Sequence, residues 1–496
     1  MAKMSEVQGQ HAVATDLRAW IDAVQKLGKL REVRGATWKL EIGTLTDLNA
    51  KGPKWTLLFD EIDGYLPGYR LLTGSLLDAR RVALTVGLSP RLTDRELAES
   101  LRGRLRGVRD KLPQYRAVQV KESPLFENAA EGTAVDITRF PAPLWHEHDG
   151  GRYLGTADAV VTRDPDTGWV NVGTYRSMVH ARDRLGVFIN VSHHGRLHAE
   201  KYWQRGEKCP VAVSFGHHPL IFALAGLEVP AGFSEFDYAG ALAERPYSVV
   251  EGPVTGLPIP ADSEVAIEGY ISPELRSEGP YGEFLGYYAG GAMQNPVIEV
   301  TAVYHRDQPI ILGTDAGRPP YDYSYFRCPV RSAMLWNALE SASVRGIQGV
   351  WCHEAGYSRA FTVVSIKQTH AGHAVQVAHL AAELPEAVFG GKYVVVVDED
   401  IDPTSLEDVV WAICSRTDPV KSIAFIPDAS GINLDPMVEH EGETRLEGLR
   451  MSRGLIYACR PMDRLLSGTF PRVVESSVEI REAVRKKWSA LFEPSA

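Results

Sequence analysis

The chain is poor in cysteine. It has five in 496 residues, Cys209, Cys328, Cys352, Cys414 and Cys459, an odd count with no C-x-x-C spacing. That excludes a disulfide framework and a thiolate zinc site, and it fits reduced thiols in a cytoplasmic protein. No apolar run approaches the roughly 18 residues of a membrane span, and the polar N-terminus lacks the apolar core of a secretory signal. No membrane partner is therefore expected. Nor is there a surplus of basic charge. The formal net charge is −10, the wrong sign for general nucleic-acid binding, and the densest basic stretch, Arg102 to Arg109 with Lys111, reads as a solvated helix face. Also missing are G-x-x-x-x-G-K-S/T, G-x-G-x-x-G, H-E-x-x-H and G-x-S-x-G, the usual markers of NTP hydrolysis, NAD chemistry, zinc proteolysis and serine hydrolysis.

What is present is an ordinary globular composition, 44% hydrophobic and 23% charged, long enough for about three domains at roughly 150 residues each. Leu17, Trp20, Ile21, Val24 and Leu27 recur at helical spacing behind a capping Asp16, and Gly28 ends that helix. Thr56 to Ile62 reads as a strand with a turn at Asp63-Gly64, and Thr93 to Leu105 as a helix. From about Val118 the pattern changes to short β-rich runs, Ala157 to Thr162, Trp169 to Met178, Gly186 to Val191 and Val211 to Phe215, punctuated by Gly and Pro as in a barrel or sandwich. From Cys328 helix and strand signals alternate, as in a parallel-sheet α/β domain. These are a helix over Pro329 to Glu340, an apolar strand over Tyr393 to Val397, a capping box Thr404-Ser405-Leu406-Glu407 opening a helix through Ser415, and a closing helix over Ser476 to Phe492.

Four short stretches hold residues suited to chemistry. In Ser277-Glu278-Gly279-Pro280-Tyr281-Gly282-Glu283-Phe284, two glycines and a proline make an irregular loop that can aim two carboxylates at one place. Asn171-Val172-Gly173-Thr174-Tyr175-Arg176 is the second stretch, His193-His194 at a strand end the third, and Ser234-Glu235 before Tyr238-Ala239-Gly240 the fourth. An Asn oxygen, a His nitrogen and a Glu oxygen together suit Mn²⁺ or Mg²⁺ better than a thiolate-seeking metal. Taken singly, each also fits a structural role: a capping Asn, a core His, a helix-start Glu, a surface turn. Strict strand alternation would put Asn171 and Arg176 on opposite faces, unless Gly173 permits a bulge. His146-Glu147-His148 reads as a loop at a pocket edge, His217-His218-Pro219 as a turn, and Asp398-Glu399-Asp400 as a cap of its strand end or the next helix. The run Tyr321 to Phe326 reads as interdomain packing.

With Asp149-Gly150-Gly151-Arg152-Tyr153, these stretches stand in an order and spacing that resemble the UbiD-type decarboxylases over most of the chain. The resemblance implies a multidomain α/β and β protein. It would have an α/β N-terminal domain (1–115), a split β-barrel that binds flavin (116–310) and a C-terminal α/β dimerisation domain (328–496), with the active site between barrel and C-terminal domain. It implies prenylated FMN, with Mn²⁺ (or Mg²⁺) and often K⁺ at its phosphate, supplied by a separate flavin prenyltransferase, and a homodimer. Carried over by position, the metal ligands are Asn171, His194 and Glu235, and the Arg-Glu-Glu network is Arg176, Glu278 and Glu283. Cofactor contacts extend over Asn171, Val172, Gly173, Thr174, Tyr175 and Arg176, over His193 and His194, to Ala225, Gly226, Leu227 and Glu235, and to Lys392. Asn190 and His193 fall at the substrate pocket, where their polarity suits a small heteroaromatic acid such as pyrrole-2-carboxylate. The expected reaction is reversible, non-oxidative release of CO₂ from such an acid. An unsaturated, aryl or acrylic acid as the substrate of a decarboxylase of the same family, a flavin-independent metal lyase or hydrolase, and a flavin-binding protein without chemistry remain as alternatives.

Overall fold

The computed structural model describes residues 13–288, 290–432, 434–438 and 449–492. The first helix forms as its spacing predicts, over Leu17–Lys26, with the Asp16 carboxylate accepting from the Ala19 N–H and Leu17, Trp20, Ile21 and Val24 buried. It packs beside a four-stranded sheet ordered Leu30–Arg34, Thr56–Asp60, Arg70–Thr73, Ile310–Leu312. The last of these strands arrives from beyond the barrel and pairs in parallel with Arg70–Thr73, so the N-terminal sheet is completed by a distant segment.

The central sheet has nine strands. Its path runs from Tyr153–Gly155 through Ser177–Ala181, Arg184–Val187, Met293–His305, Val265–Glu278, Cys209–Phe215 and Ala159–Arg163 to Val170–Gly173, and Asn128–Glu131 also pairs with Met293–His305. Both faces are buried. Ala159, Val161, Ala212 and Ala266 enter one apolar cluster, while the alternate residues Val160, Val211, Val213 and Ile267 enter another. Small side chains on one face and branched ones on the other suit a sheet that curls. The sequence run Trp169 to Met178 is not one strand but two, at opposite ends of this path. In a flat sheet those strands would stand six steps apart, about 29 Å at ~4.8 Å per step. The link from Gly173 to Ser177 spans at most about 14 Å. The sheet therefore curls until its ends approach, forming a half-barrel with a seam.

The third layer is a five-stranded sheet ordered Ile347–Cys352, Phe361–Ile366, Tyr393–Asp398, Arg450–Ala458, Ile423–Ser430. It is parallel only at its centre and antiparallel at both edges, which corrects the all-parallel expectation. The helix expected from Pro329 begins at Asp322 and runs to Ser341 with the proline inside it. Burial of nearly every residue in its first turns overrides the local cost of Pro. The aromatic run Tyr321 to Phe326 is thus the start of this helix, facing inwards. The basic stretch is not a solvated face either. Arg102 and Arg106 reach Glu340 at 2.5 Å each, Arg102 stacks 4.3 Å from the Trp336 ring, and Arg104 donates to the Leu242 carbonyl at 2.7 Å. The capping box near residue 404 shifts by one. Thr404 turns back to Asp402, and Ser405 caps the helix Leu406–Arg416. The closing helix is broken into Val478–Lys487 and Ser489–Phe492.

Candidate active site

Arg176, Glu278 and Glu283 are brought together. The Arg176 guanidinium grips Glu278 in a bidentate pair, Nε to Oε1 at 2.9 Å and Nη2 to Oε2 at 3.0 Å, and its Nη1 donates to Glu283 Oε1 at 2.6 Å. Glu278 ends a barrel strand and is fully buried. It also accepts from the Tyr153 hydroxyl at 2.7 Å and from Asn295 Nδ2 at 3.1 Å. Its carboxylate is thereby saturated, whereas Glu283 has only the arginine. Burial raises the Glu283 pKa, Arg176 opposes the rise and Glu278 adds to it. A carboxyl group raised in that way is suited to take and return a proton.

The glycines around this loop are there for close approach. A Cβ on Gly150 would lie 1.8 Å from the Gly279 carbonyl oxygen, and the Gly150 N–H donates to the Pro280 carbonyl at 2.8 Å. The Asp149-Gly150-Gly151 stretch is thus the wall against which the two-carboxylate loop is built.

Asn171, His194 and Glu235 come from three separate elements. Asn171 lies on the edge strand of the half-barrel, His194 is the first residue of the helix His194–Gln204, and Glu235 opens the helix Glu235–Ala243 behind the capping Ser234. The two histidines therefore start a helix rather than end a strand. Asn171 is buried with its Nδ2 unpartnered. Glu235 is buried, accepts the Val172 N–H at 2.7 Å, and has its pKa pushed up to about 8 by burial. Burial lowers the His194 pKa, which keeps the imidazole neutral and able to donate a lone pair. An amide oxygen, a buried carboxyl with one backbone donor and a neutral imidazole offer the lone pairs that fit a hard-to-intermediate cation. Among the described residues no group of three or more His, Cys, Asp and Glu is placed to hold a metal; this trio supplies two of those types and an Asn.

The residues between these two groups form the crossing at the seam. Gly173 ends its strand, so alternation stops there and no bulge is needed to explain the positions of Asn171 and Arg176. The Thr174 N–H donates to the Ala225 carbonyl at 3.0 Å. Tyr175 folds its ring over Gly173, where a Cβ would lie 2.2 Å from the ring, and stacks obliquely 5.7 Å from His193. Gly226 lies directly beneath the Tyr323 hydroxyl, and Leu227 continues the turn through its N–H bond to the Leu224 carbonyl. His193 is exposed. Asn190 accepts weakly from Ser192, at 3.4 and 3.5 Å, and its carbonyl accepts the His193 N–H at 2.9 Å, so it shapes the turn into the helix. Lys392 pairs with Asp435 at 2.7 Å.

Other motifs resolve into structure. His146 and His148 line a cavity of about 450 Å³ with Asp47, Gly282, Tyr287 and Arg318. His217 and His218 are buried, and the His218 ring caps the helix Pro219–Ala225. Asp398 is buried under Arg416 and Arg460, each at 3.0 Å. Two features escape the sequence reading. One is Asp158 at the seam, whose signal is a lone acid inside an apolar strand run. The other is half-exposed Glu228, which binds the buried Arg331 at 3.1 Å and also Arg359. Nothing local in the sequence connects these three residues.

Family models cover nearly all of the chain. They are the 3-octaprenyl-4-hydroxybenzoate carboxy-lyase N-terminal domain over residues 21–101, its Rift-related domain over 116–319 and its C-terminal domain over 324–458. The chain is 32% identical to a pyrrole-2-carboxylic acid decarboxylase of Pseudomonas aeruginosa, over 96% of this chain and 98% of that one. Among solved structures it is similar to the UbiD-class enzyme HmfF of Pelotomaculum thermopropionicum in complex with FMN, at a TM-score of 0.82 and 28% identity, covering 94% of this chain and 98% of that one. An evolved dimeric form of the same enzyme in complex with prFMN matches at a TM-score of 0.78 and 26% identity, with the same coverage, 94% and 98%.

Proposed function

This chain belongs to the UbiD family of flavin-dependent decarboxylases, and from that premise we propose that it releases CO₂ reversibly and non-oxidatively from a small heteroaromatic acid, pyrrole-2-carboxylate first among them. The observation that carries the reading is the buried Arg176–Glu278–Glu283 group, in which one carboxylate is fully satisfied and the other is left able to exchange a proton. Prenylated FMN, when bound, supplies the electron sink that loss of CO₂ requires. Asn171, His194 and Glu235 would hold Mn²⁺ or Mg²⁺, with K⁺ beside it, against the flavin phosphate, since a divalent ion offsets the charge of phosphate and carboxylate together. Glu283, ionised at the start, takes the proton of the incoming carboxylic acid and returns it to the ring carbon that has lost CO₂, and Arg176 keeps it aimed there. Asn190 and His193 stand at the substrate end. A neutral His193 can accept a pyrrole N–H, a bond that furan and thiophene analogues cannot offer.

The reading extends to the whole protein. The three units 1–115, 116–310 and 328–496 act as N-terminal, flavin-binding and dimerisation domains, and the protein works in the cytoplasm with a flavin prenyltransferase as its cofactor supplier. A second copy is the natural cover for the apolar side chains left outside on the last helices. The deciding experiment is to produce the chain with and without a flavin prenyltransferase, record the absorption spectrum, and follow CO₂ release from matched acids. Turnover is expected only with the prenylated flavin, and faster on pyrrole-2-carboxylate than on its furan analogue. Full activity with ordinary FMN, or with metal and no flavin, overturns the reading.

A further inference from the structure

A half-barrel with a seam needs something other than ladder hydrogen bonds to fix the distance between its two ends. Two connections cross the seam here. Residues 156–158 lead from the strand Tyr153–Gly155 to Ala159–Arg163, and residues 174–176 lead from Val170–Gly173 to Ser177–Ala181. The first crossing carries Asp158, which is fully buried. Its carboxylate reaches into the second crossing and takes three bonds: from the Tyr175 N–H at 3.1 Å, the Ser177 hydroxyl at 2.8 Å and the Thr174 hydroxyl at 3.3 Å. The fit is close, since a Cβ on Gly155 would lie 2.0 Å from Asp158 Oδ2. No other side chain bonds to three successive parts of the crossing among the described residues.

The clamped segment joins both halves of the active site. On one side Tyr175 packs on Gly173 and within 3.2 Å of where a Cβ on Gly195 would stand, so its ring abuts the start of the His194 helix. On the other side Arg176 holds Glu278 and Glu283. Backbone bonds hold this crossing at its ends, the Thr174 N–H to the Ala225 carbonyl at 3.0 Å and the Phe188 N–H to the Arg176 carbonyl at 3.1 Å, and the Tyr175 N–H between them is held by Asp158. We propose that Asp158 is a positioning residue for the decarboxylation, a clamp across the barrel seam that sets where Arg176 stands and hence where Glu283 is aimed. Burial pushes the Asp158 pKa up to about 7, so a neutral side chain of the same shape serves the clamp as well. An Asn there still accepts from the Tyr175 N–H and donates to Ser177.

The kinetic part of this inference rests on the decarboxylase reading; the structural part does not. The test compares Asp158→Ala and Asp158→Asn with wild type, all as full-length chains. In flavin-free protein, amide exchange over residues 173–178 rises about tenfold or more in Asp158→Ala and stays near wild type in Asp158→Asn. In the flavin-loaded enzyme, Asp158→Ala loses about 10²-fold in kcat, the size of effect a misplacement of about 1 Å produces, with little change in KM. The groups facing Glu283 are Arg176, Glu278 and the Tyr321 phenol. Loosening Arg176 removes the one that lowers the Glu283 pKa, so the acid limb of kcat/KM moves to higher pH. Should Asp158→Ala not fold, Ser177→Ala removes one clamp bond from the other side and gives the same shifts at smaller size. Unchanged exchange with kcat within twofold of wild type overturns the proposal. So does a fall in kcat that tracks lost flavin while the acid limb stays in place, or an Asp158→Asn as impaired as the Ala variant. A wild type that turns over no carboxylic acid defeats the decarboxylase reading alone, and the exchange result still decides the clamp.

Discussion

Glu283 is held by opposing effects: burial raises its pKa, and the guanidinium 2.6 Å away restrains that rise. Its carboxylate must be deprotonated before the first turnover, so activity is lost as pH falls through the raised value. The acid limb of kcat/KM is therefore expected above the range of an ordinary Glu, and a pH–rate profile checks it. Glu283→Gln keeps the shape and a bond to Arg176 but cannot carry the proton. We expect it to fold, keep flavin and metal, and lose about 10²- to 10⁴-fold in turnover; near-normal turnover would remove Glu283 from the chemistry. His194 gives the complementary expectation. With Glu235 buried and accepting from only the Val172 N–H among the described residues, one cation would take lone pairs from the Asn171 amide oxygen, the His194 imidazole and the Glu235 carboxylate. His194→Ala should then lose bound Mn²⁺ and flavin together, measured by metal analysis and by absorbance on the same sample. Retention of both by an inactive variant would show that His194 is no ligand.

At the scale of elements, the glycines separate positions that need close approach from positions that do not. Gly173 ends a strand beneath the Tyr175 ring, and an added Cβ would press into that ring. Gly173→Ala is expected to displace Tyr175 and lower flavin content. Gly103 lies exposed in the helix Asp94–Leu105, with nothing within 4 Å of where a Cβ would stand. Gly103→Ala should raise stability by about 0.5–1 kcal/mol, since Gly is that much worse than Ala inside a helix. Thermal melts of both variants, with flavin content, check the pair. Much of this was readable in the sequence. The Asp16 cap, the helix beginning near Thr93, the apolar run Tyr393 to Val397 and the Glu-rich loop each carry a local signal. What the sequence hid is non-local. The break at Gly173 depends on sheet closure, the helix through Pro329 depends on burial, and Asp158 gains its role only when two crossings meet.

At the scale of the whole molecule, the triple-layer order followed from the change in pattern near residues 118 and 328, but the joins between layers did not. The strand Ile310–Leu312 returns to the N-terminal sheet, and Glu228 ties the barrel to Arg331 and Arg359. These partners lie far apart in sequence, where no period or spacing can announce them. The same limit applies to contacts between copies, and the surface supplies what the sequence could not. On the helix Val478–Lys487, Ile480 and Val484 stand four apart on one face, and both are exposed, as are Trp488 at its end and Leu491 in the short helix after it. Phe425, on the edge strand Ile423–Ser430, is exposed as well. No residue of the helix Val478–Lys487 is fully buried among the described residues, and helical stability in proteins comes mainly from packing an amphipathic face. A second copy would bury these apolar side chains, at about 25 cal/mol per Å² of apolar area removed from water. The double variant Ile480→Glu with Trp488→Glu places charge among them. Wild type is expected to run as a dimer by light scattering and this variant as a monomer, with the far-ultraviolet spectrum little changed because both side chains are about half exposed. A variant that stays dimeric would move the interface elsewhere, the exposed edge at Phe425 being the next surface to charge.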